Sequence, residues 1–292
     1  MFGKPLVLNL LACLGVFVSR SQDILPFQES RFSWAAVEQR PTPEQLNTFL
    51  AQHRKDFPWF LDKPEKYDHR TVDSLKKRLH FIDLDRDHQP DVIFEGESGG
   101  EATMFTIYLN RSNTYKEVFS NEQGIIRMDW QDGRLHKLYI QDWGCCAENV
   151  NINKIFQLSY DAAGDPKFIQ VYQGCSIKGT SLPDTLFEKA FRFEVINPAY
   201  NIRLAPVVDD ASEQEWDVDG QPKHGNIIAT LAQGATGTAL AKKIDATGRE
   251  WWFVEIDEEY YPASSYAFFN ATHLEFPTKI SGWISSRFVK PI

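Results

Sequence analysis

From Phe81 onward the hydrophobic period drops to two, in short apolar runs separated by closely spaced turn residues. A chain patterned this way has no continuous helical face to bury. What it can bury is alternate side chains of paired strands. Strands are expected at Val92–Phe94, Thr103–Leu109, Tyr115–Phe119, Ile125–Trp130, Leu135–Gln141, Lys154–Tyr160, Phe168–Gln173 and Phe191–Val195. Between them, Gln131-Asp132-Gly133 and Ala163-Gly164-Asp165 carry ordinary hairpin chemistry. The pattern resets at Asn197-Pro198, where a domain boundary is expected. The predicted class is therefore mainly β: a helical lead-in over 22–78, an antiparallel β domain over 79–196 and a further small β domain over 197–292.

The lead-in has its own signals. Thr42-Pro43-Glu44-Gln45 gives a hydroxyl cap, Pro at the first helical position and Gln three residues after the cap. Leu46, Phe49 and Leu50 supply the apolar face of that helix, and Pro58 forbids its continuation. A second short helix is expected over Val72–Leu79. With 292 residues the chain has room for about two domains of roughly 150 residues. Its 8 Trp, 10 Tyr and 21 Phe exclude a disordered coil. A net charge of −9 argues against nucleic acid or an anionic membrane surface as partner.

Residues 1–21 read as a secretory signal peptide. Lys4 supplies the positive start, Leu6 to Val18 form an apolar run broken only by Asn9, and Ser19 and Ser21 place small residues two apart before a cut at Gln22. The run is too short for a membrane span of roughly 20 residues. A buried N-terminal helix is one alternative. Another is lipidation at Cys13, since Leu10-Leu11-Ala12-Cys13 resembles a bacterial lipobox. The expected location is thus exported, periplasmic or extracellular. Cleavage removes Lys4 and Arg20 but no acid, which takes the net charge from −9 to −11. It leaves Cys145, Cys146 and Cys175. In an oxidising compartment a disulfide from Cys175 to either member of the vicinal pair is expected, with one thiol over.

The stretch Asp83-Leu84-Asp85-Arg86-Asp87-His88-Gln89-Pro90-Asp91 has carboxylates at positions 1, 3, 5 and 9, between the apolar flanks Phe81-Ile82 and Val92-Ile93-Phe94. Closely spaced acids on a curling loop suit a hard cation, which takes six to eight oxygens. The stretch resembles the calcium loop of FG-GAP and related repeats in integrin-type propellers. That resemblance implies a structural Ca²⁺ held by the side chains of Asp83, Asp85, Asp87 and Asp91, with the backbone carbonyl of Gln89. One position departs from the family: His88 stands where Gly is usual. A solvated acidic turn is the alternative. The segment 79–195 is too short for four blades of roughly 40–50 residues, so a full propeller is not expected.

Four ordered segments mark the end of the chain: Asn201-Ile202-Arg203-Leu204-Ala205-Pro206, Gly225 to Gly234, Trp251 to Ile256, and Gly282-Trp283-Ile284 to Val289. Their order and texture resemble the bacterial SH3-like domain, which implies a small β-barrel over 197–292. Two polar insertions, Asp209 to His224 and Asp257 to Lys279, enlarge it. The second carries Tyr260, Tyr261, Tyr266 and Phe268, which would line a ligand groove or else close a hairpin over the barrel.

No catalytic constellation emerges. The seven histidines form no H-E-x-x-H, and neither a G-x-S-x-G elbow nor a Gly-rich phosphate loop occurs. Cys175 with a distant His is the one formal nucleophile pair, as in cell-wall peptidases. The sequence therefore leads to a non-enzymatic cell-envelope protein whose SH3-like domain binds a peptide, a peptidoglycan fragment or a protein partner. A purely structural accessory protein is the second reading, and a Cys-dependent hydrolase the third.

Overall fold

A computed structural model describes residues 33–62, 71–97, 103–142, 150–218, 221–257 and 278–292. The expected signal segment, Cys13, Cys145, Cys146 and the four ring residues Tyr260, Tyr261, Tyr266 and Phe268 lie outside them. The described residues are mainly β and antiparallel, with three short helices at the start.

Helix α1 spans Pro43–Gln52 and begins as its sequence dictates. The Gln45 amide donates to Thr42 Oγ1 (3.2 Å) and the Thr42 amide to Gln45 Oε1 (2.9 Å), a reciprocal capping box that satisfies two amides the helix itself leaves open. Helices α2 (Pro58–Leu61) and α3 (Val72–Lys76) follow, the latter capped by Thr71 and Ser74. The helix expected through Leu79 stops at Lys76. Leu79 already pairs with Phe94 in a sheet, and that pairing outweighs a helical preference of a few tenths of a kcal/mol.

Four strands, β1 (Leu79–Ile82), β2 (Asp91–Glu97), β3 (Thr103–Arg111) and β4 (Thr114–Asn121), form an antiparallel meander. Alternation along β2 sends Val92 and Phe94 to one face and Ile93 to the other. The first face packs on Phe49, Phe57 and Phe60 of the helical lead-in. Phe49 is fully buried and meets Tyr108 and Tyr115 edge-on at 5.1 and 5.3 Å. Burial of one such ring contributes about 2–3 kcal/mol. The second face packs on a further meander made of β5 (Gly124–Gln131), β6 (Arg134–Asp142), β7 (Val150–Tyr160) and β8 (Pro166–Ile177). The result is helices on sheet on sheet.

The remaining strands are β9 (Leu186–Val195), β10 (Ala199–Arg203), β11 (Glu213–Val218), β12 (Gln221–His224), β13 (Ile227–Ala232), β14 (Thr236–Ile244), β15 (Glu250–Ile256), β16 (Lys279–Ser285) and β17 (Val289–Pro291). Asn197-Pro198 does not separate two sheets. Strand β9 lies between β14 and β17, and β16 pairs in parallel with β8 through Lys279↔Gly174 and Ile280↔Cys175. One core unites Val150, Ile152, Cys175 and Ile177 with Ile202, Ile228, Val254 and Ile284. The cause is length: β7 and β8 have 11 and 12 residues, enough for one half of each strand to serve either core.

The motif residues at the chain end have local structural reasons. Arg203 Nη1 reaches the Asp209 carbonyl (3.0 Å), Asn226 Oδ1 (2.9 Å) and Asp210 Oδ1 (2.8 Å), while Asn226 Nδ2 donates to the Val207 carbonyl. Together they pin the loop after β10. At Gly282 a Cβ would stand 2.7 Å from Ile202 and 3.0 Å from the Arg203 carbonyl, so only glycine lets β10 approach β16 this closely. Alternation over Trp252 to Ile256 would give a strand one buried face, and here β15 has two. Trp252, Val254 and Ile256 enter the large core, and Trp251 and Phe253 pack with Leu240 and Trp283 on the reverse side, because β15 is an interior strand.

Candidate metal centre

The acidic loop joins β1 to β2 across the pair Ile82↔Asp91. Two of its residues have left-handed backbones, Arg86 at φ 65° and His88 at φ 67°. His88 thus takes the backbone conformation that glycine favours. Leu84 anchors the loop by entering the core between the sheets, and its carbonyl accepts from the Leu135 amide at 2.9 Å.

Carboxylate oxygens of Asp83, Asp85 and Asp91 lie within 4.8 Å of one another. Each acid also has work inside the loop. Asp83 accepts from the Asp87 and His88 amides at 3.1 and 3.0 Å. Asp91 is fully buried and accepts from the Leu84 amide (2.9 Å) and the Asn110 amide (2.8 Å). Burial drives its carboxyl up to about 8, against the lowering effect of those two amides. Burial also raises Asp85, opposed by the Arg111 guanidinium 2.8 Å away. Asp87 is not among the three: it faces the Gln89 amide (2.8 Å) and Arg111 (3.3 Å). The Gln89 side chain holds the loop to the next hairpin by accepting from the Ser112 amide at 3.0 Å.

No protein-family model matches the chain, and no curated protein or solved structure matches it.

Of the four expected carboxylates, then, three come together as hard oxygen donors. That donor chemistry fits a cation such as Ca²⁺. The residue missing from the sequence reading is Arg111. Its guanidinium touches Asp85 and Asp87 on one side and, on the other, Asp165 (3.1 Å) and the Gly164 carbonyl (3.2 Å). It is a tethered positive charge joining the loop to the β7–β8 turn. No local signal marks it, because its partners lie 24 to 54 residues away along the chain.

Cys175 is a free thiol with no exposed surface, set in β8 opposite Ile152. The disulfide expected from it is not formed there; Cys145 and Cys146 lie outside the described residues. Burial pushes the Cys175 thiol up to about 12. A different surface carries one exposed ring beside a part-buried one. Phe288, 45% exposed on a 3₁₀ turn, stands 5.6 Å edge-on from Tyr200, and its carbonyl accepts from the amide of exposed Ile196. The Tyr200 hydroxyl donates to the Ser285 carbonyl at 2.6 Å, which fixes its ring. No helix among the described residues is long and apolar enough to cross a membrane.

Proposed function

We propose that this chain is an exported, non-catalytic cell-envelope protein. Its C-terminal SH3-like part binds a peptide, a peptidoglycan fragment or a protein partner, and its acidic loop is a structural Ca²⁺ site. The observation that carries the binding reading is the apolar surface formed by Phe288, Tyr200 and Ile196. An exposed ring braced by a part-buried one, beside exposed Ile196, is the kind of apolar contact that peptide-binding surfaces use. Asp83, Asp85 and Asp91 would hold the ion, which supplies charge neutralisation and a crosslink when bound, not catalysis.

The test is a pull-down of purified peptidoglycan and of envelope extract by the mature chain at low salt. Phe288→Ala is expected to abolish capture while changing stability by about 1 kcal/mol or less, because the ring is only half buried. Capture that is absent in both preparations, or unchanged by Phe288→Ala, overturns the reading. The structural accessory reading would then replace it. One observation favours that second reading: the C-terminal strands are hydrogen-bonded into the same sheet as β8 and β9.

The hydrolase reading is tested at the thiol. With Cys175 buried and its thiol raised to about 12, a water-soluble alkylating reagent is expected to leave it unmodified in the native protein and to modify it in urea, as mapped by mass spectrometry. Rapid native labelling of Cys175 would restore the nucleophile.

A further inference from the structure

A cleft of about 360 Å³ opens beside the loop at Arg86, and it has an unusual lining for a chain of net charge −9. Arg86, Arg134 and His136 face it, with Tyr160 and Leu158 as apolar wall and Asp132 as the one acid. Arg86 is fixed in place. Its backbone is left-handed, its Nη1 donates to the Asp132 carbonyl at 2.7 Å, and its stem crosses Gly133, where a Cβ would stand 3.0 Å from the Arg86 Cδ. Arg134 is fixed too, its guanidinium 5.2 Å from the centre of the Tyr160 ring. The Tyr160 hydroxyl is in turn held at 3.0 Å from the Leu84 carbonyl and 2.8 Å from that of Leu135.

Among the described residues neither Arg86 nor Arg134 pairs with a carboxylate, a state they share with Arg249 and Arg287, but only these two face one cleft together. A non-glycine residue in a left-handed conformation costs of order 1–3 kcal/mol and persists where surrounding contacts enforce it, often at a ligand clamp. A guanidinium fork matches a carboxylate or phosphate in two parallel hydrogen bonds. A volume near 360 Å³ is that of a small-molecule site.

We propose that this cleft binds a small organic anion, with Arg86 and Arg134 gripping its carboxylate or phosphate and Tyr160 and Leu158 covering its apolar part. The site is separate from the Phe288 surface, so the two readings stand or fall independently.

The experiment is calorimetric titration of the purified chain at low ionic strength with three probes: inorganic phosphate, N-acetylalanine and the uncharged N-acetylalanine amide. Saturable binding of at least one anion and none of the amide is expected, weakening as salt is added. Whichever anion binds names the oxyanion. Arg134→Gln is expected to weaken binding about tenfold, the loss of one charge-assisted hydrogen bond, with an unchanged near-ultraviolet circular dichroism spectrum. Asp132→Asn, which removes the opposing charge, is expected to tighten it, and Phe288→Ala to leave it unchanged. The proposal is overturned if neither anion binds saturably, if the amide binds as well as the acid, or if Arg134→Gln binds like the native chain.

Discussion

Millimolar Ca²⁺ is expected to raise the melting temperature of the native chain, and chelator to return it. With free ion at a hundred times its dissociation constant, linkage adds about 2.7 kcal/mol, a shift of roughly 4–5 °C for a chain of this size. Changing Asp83, Asp85, Asp87 and Asp91 together to Asn should abolish the rise. Because Asp91 caps two buried amides, that variant also loses fold stability, so Asp85→Asn with Asp87→Asn, which spares those caps, is the cleaner comparison. Arg111 sets a second expectation. It already neutralises Asp85 and Asp87, so Arg111→Gln should lower the melting temperature in chelator and enlarge the gain from Ca²⁺. A melting curve that is identical in Ca²⁺ and chelator, in both the native chain and Arg111→Gln, would leave the loop a bare acidic turn.

Replacing Glu255 with Ala is expected to cost about 3 kcal/mol, one of the largest single-residue losses available outside the aromatic cores. Glu255 is almost fully buried on β15. Its Oε1 accepts from the Tyr172 hydroxyl at 2.6 Å, and its Oε2 lies 3.4 Å from Lys279 Nζ. Next to it Gln173 Nε2 donates to Thr278 Oγ1 at 2.7 Å, so this polar cluster joins β8 to the strands that follow residue 250. Removing the carboxylate takes one hydrogen-bond partner of a buried hydroxyl and leaves a void. Glu255→Gln keeps the acceptor for Tyr172 and should lose only about 1 kcal/mol, since Lys279 is a third exposed and can be hydrated instead. Urea unfolding of both variants reads the difference. Equal losses would show that charge, not the hydrogen bond and packing, dominates the joint.

Much of the local structure could be read residue by residue. Thr42 and Gln45 specify α1 because capping is an interaction between neighbours, and the eight expected strands all lie within observed ones because alternation needs only the chain's own order. The loop's acids were visible for the same reason, and its left-handed residues fall inside the motif. What stayed hidden was relational. Arg111 reads as an ordinary strand end until the β7–β8 turn is folded against it, and Arg86, Arg134 and Tyr160 share a cleft only once three segments meet.

The sequence by itself determined the mainly β class, the helical lead-in, the acidic loop with its spacing and the strand positions, because periodicity and turn chemistry act over a few residues. Tertiary structure alone decided that Asn197-Pro198 joins strands of one continuous sheet, that β15 is covered on both faces, that Asp83, Asp85 and Asp91 cluster without Asp87, and that Cys175 is sealed from solvent. Each of these depends on which distant strand arrives beside which. Pairing between strands is fixed by burial and register over the whole molecule, and no window of the chain contains both partners.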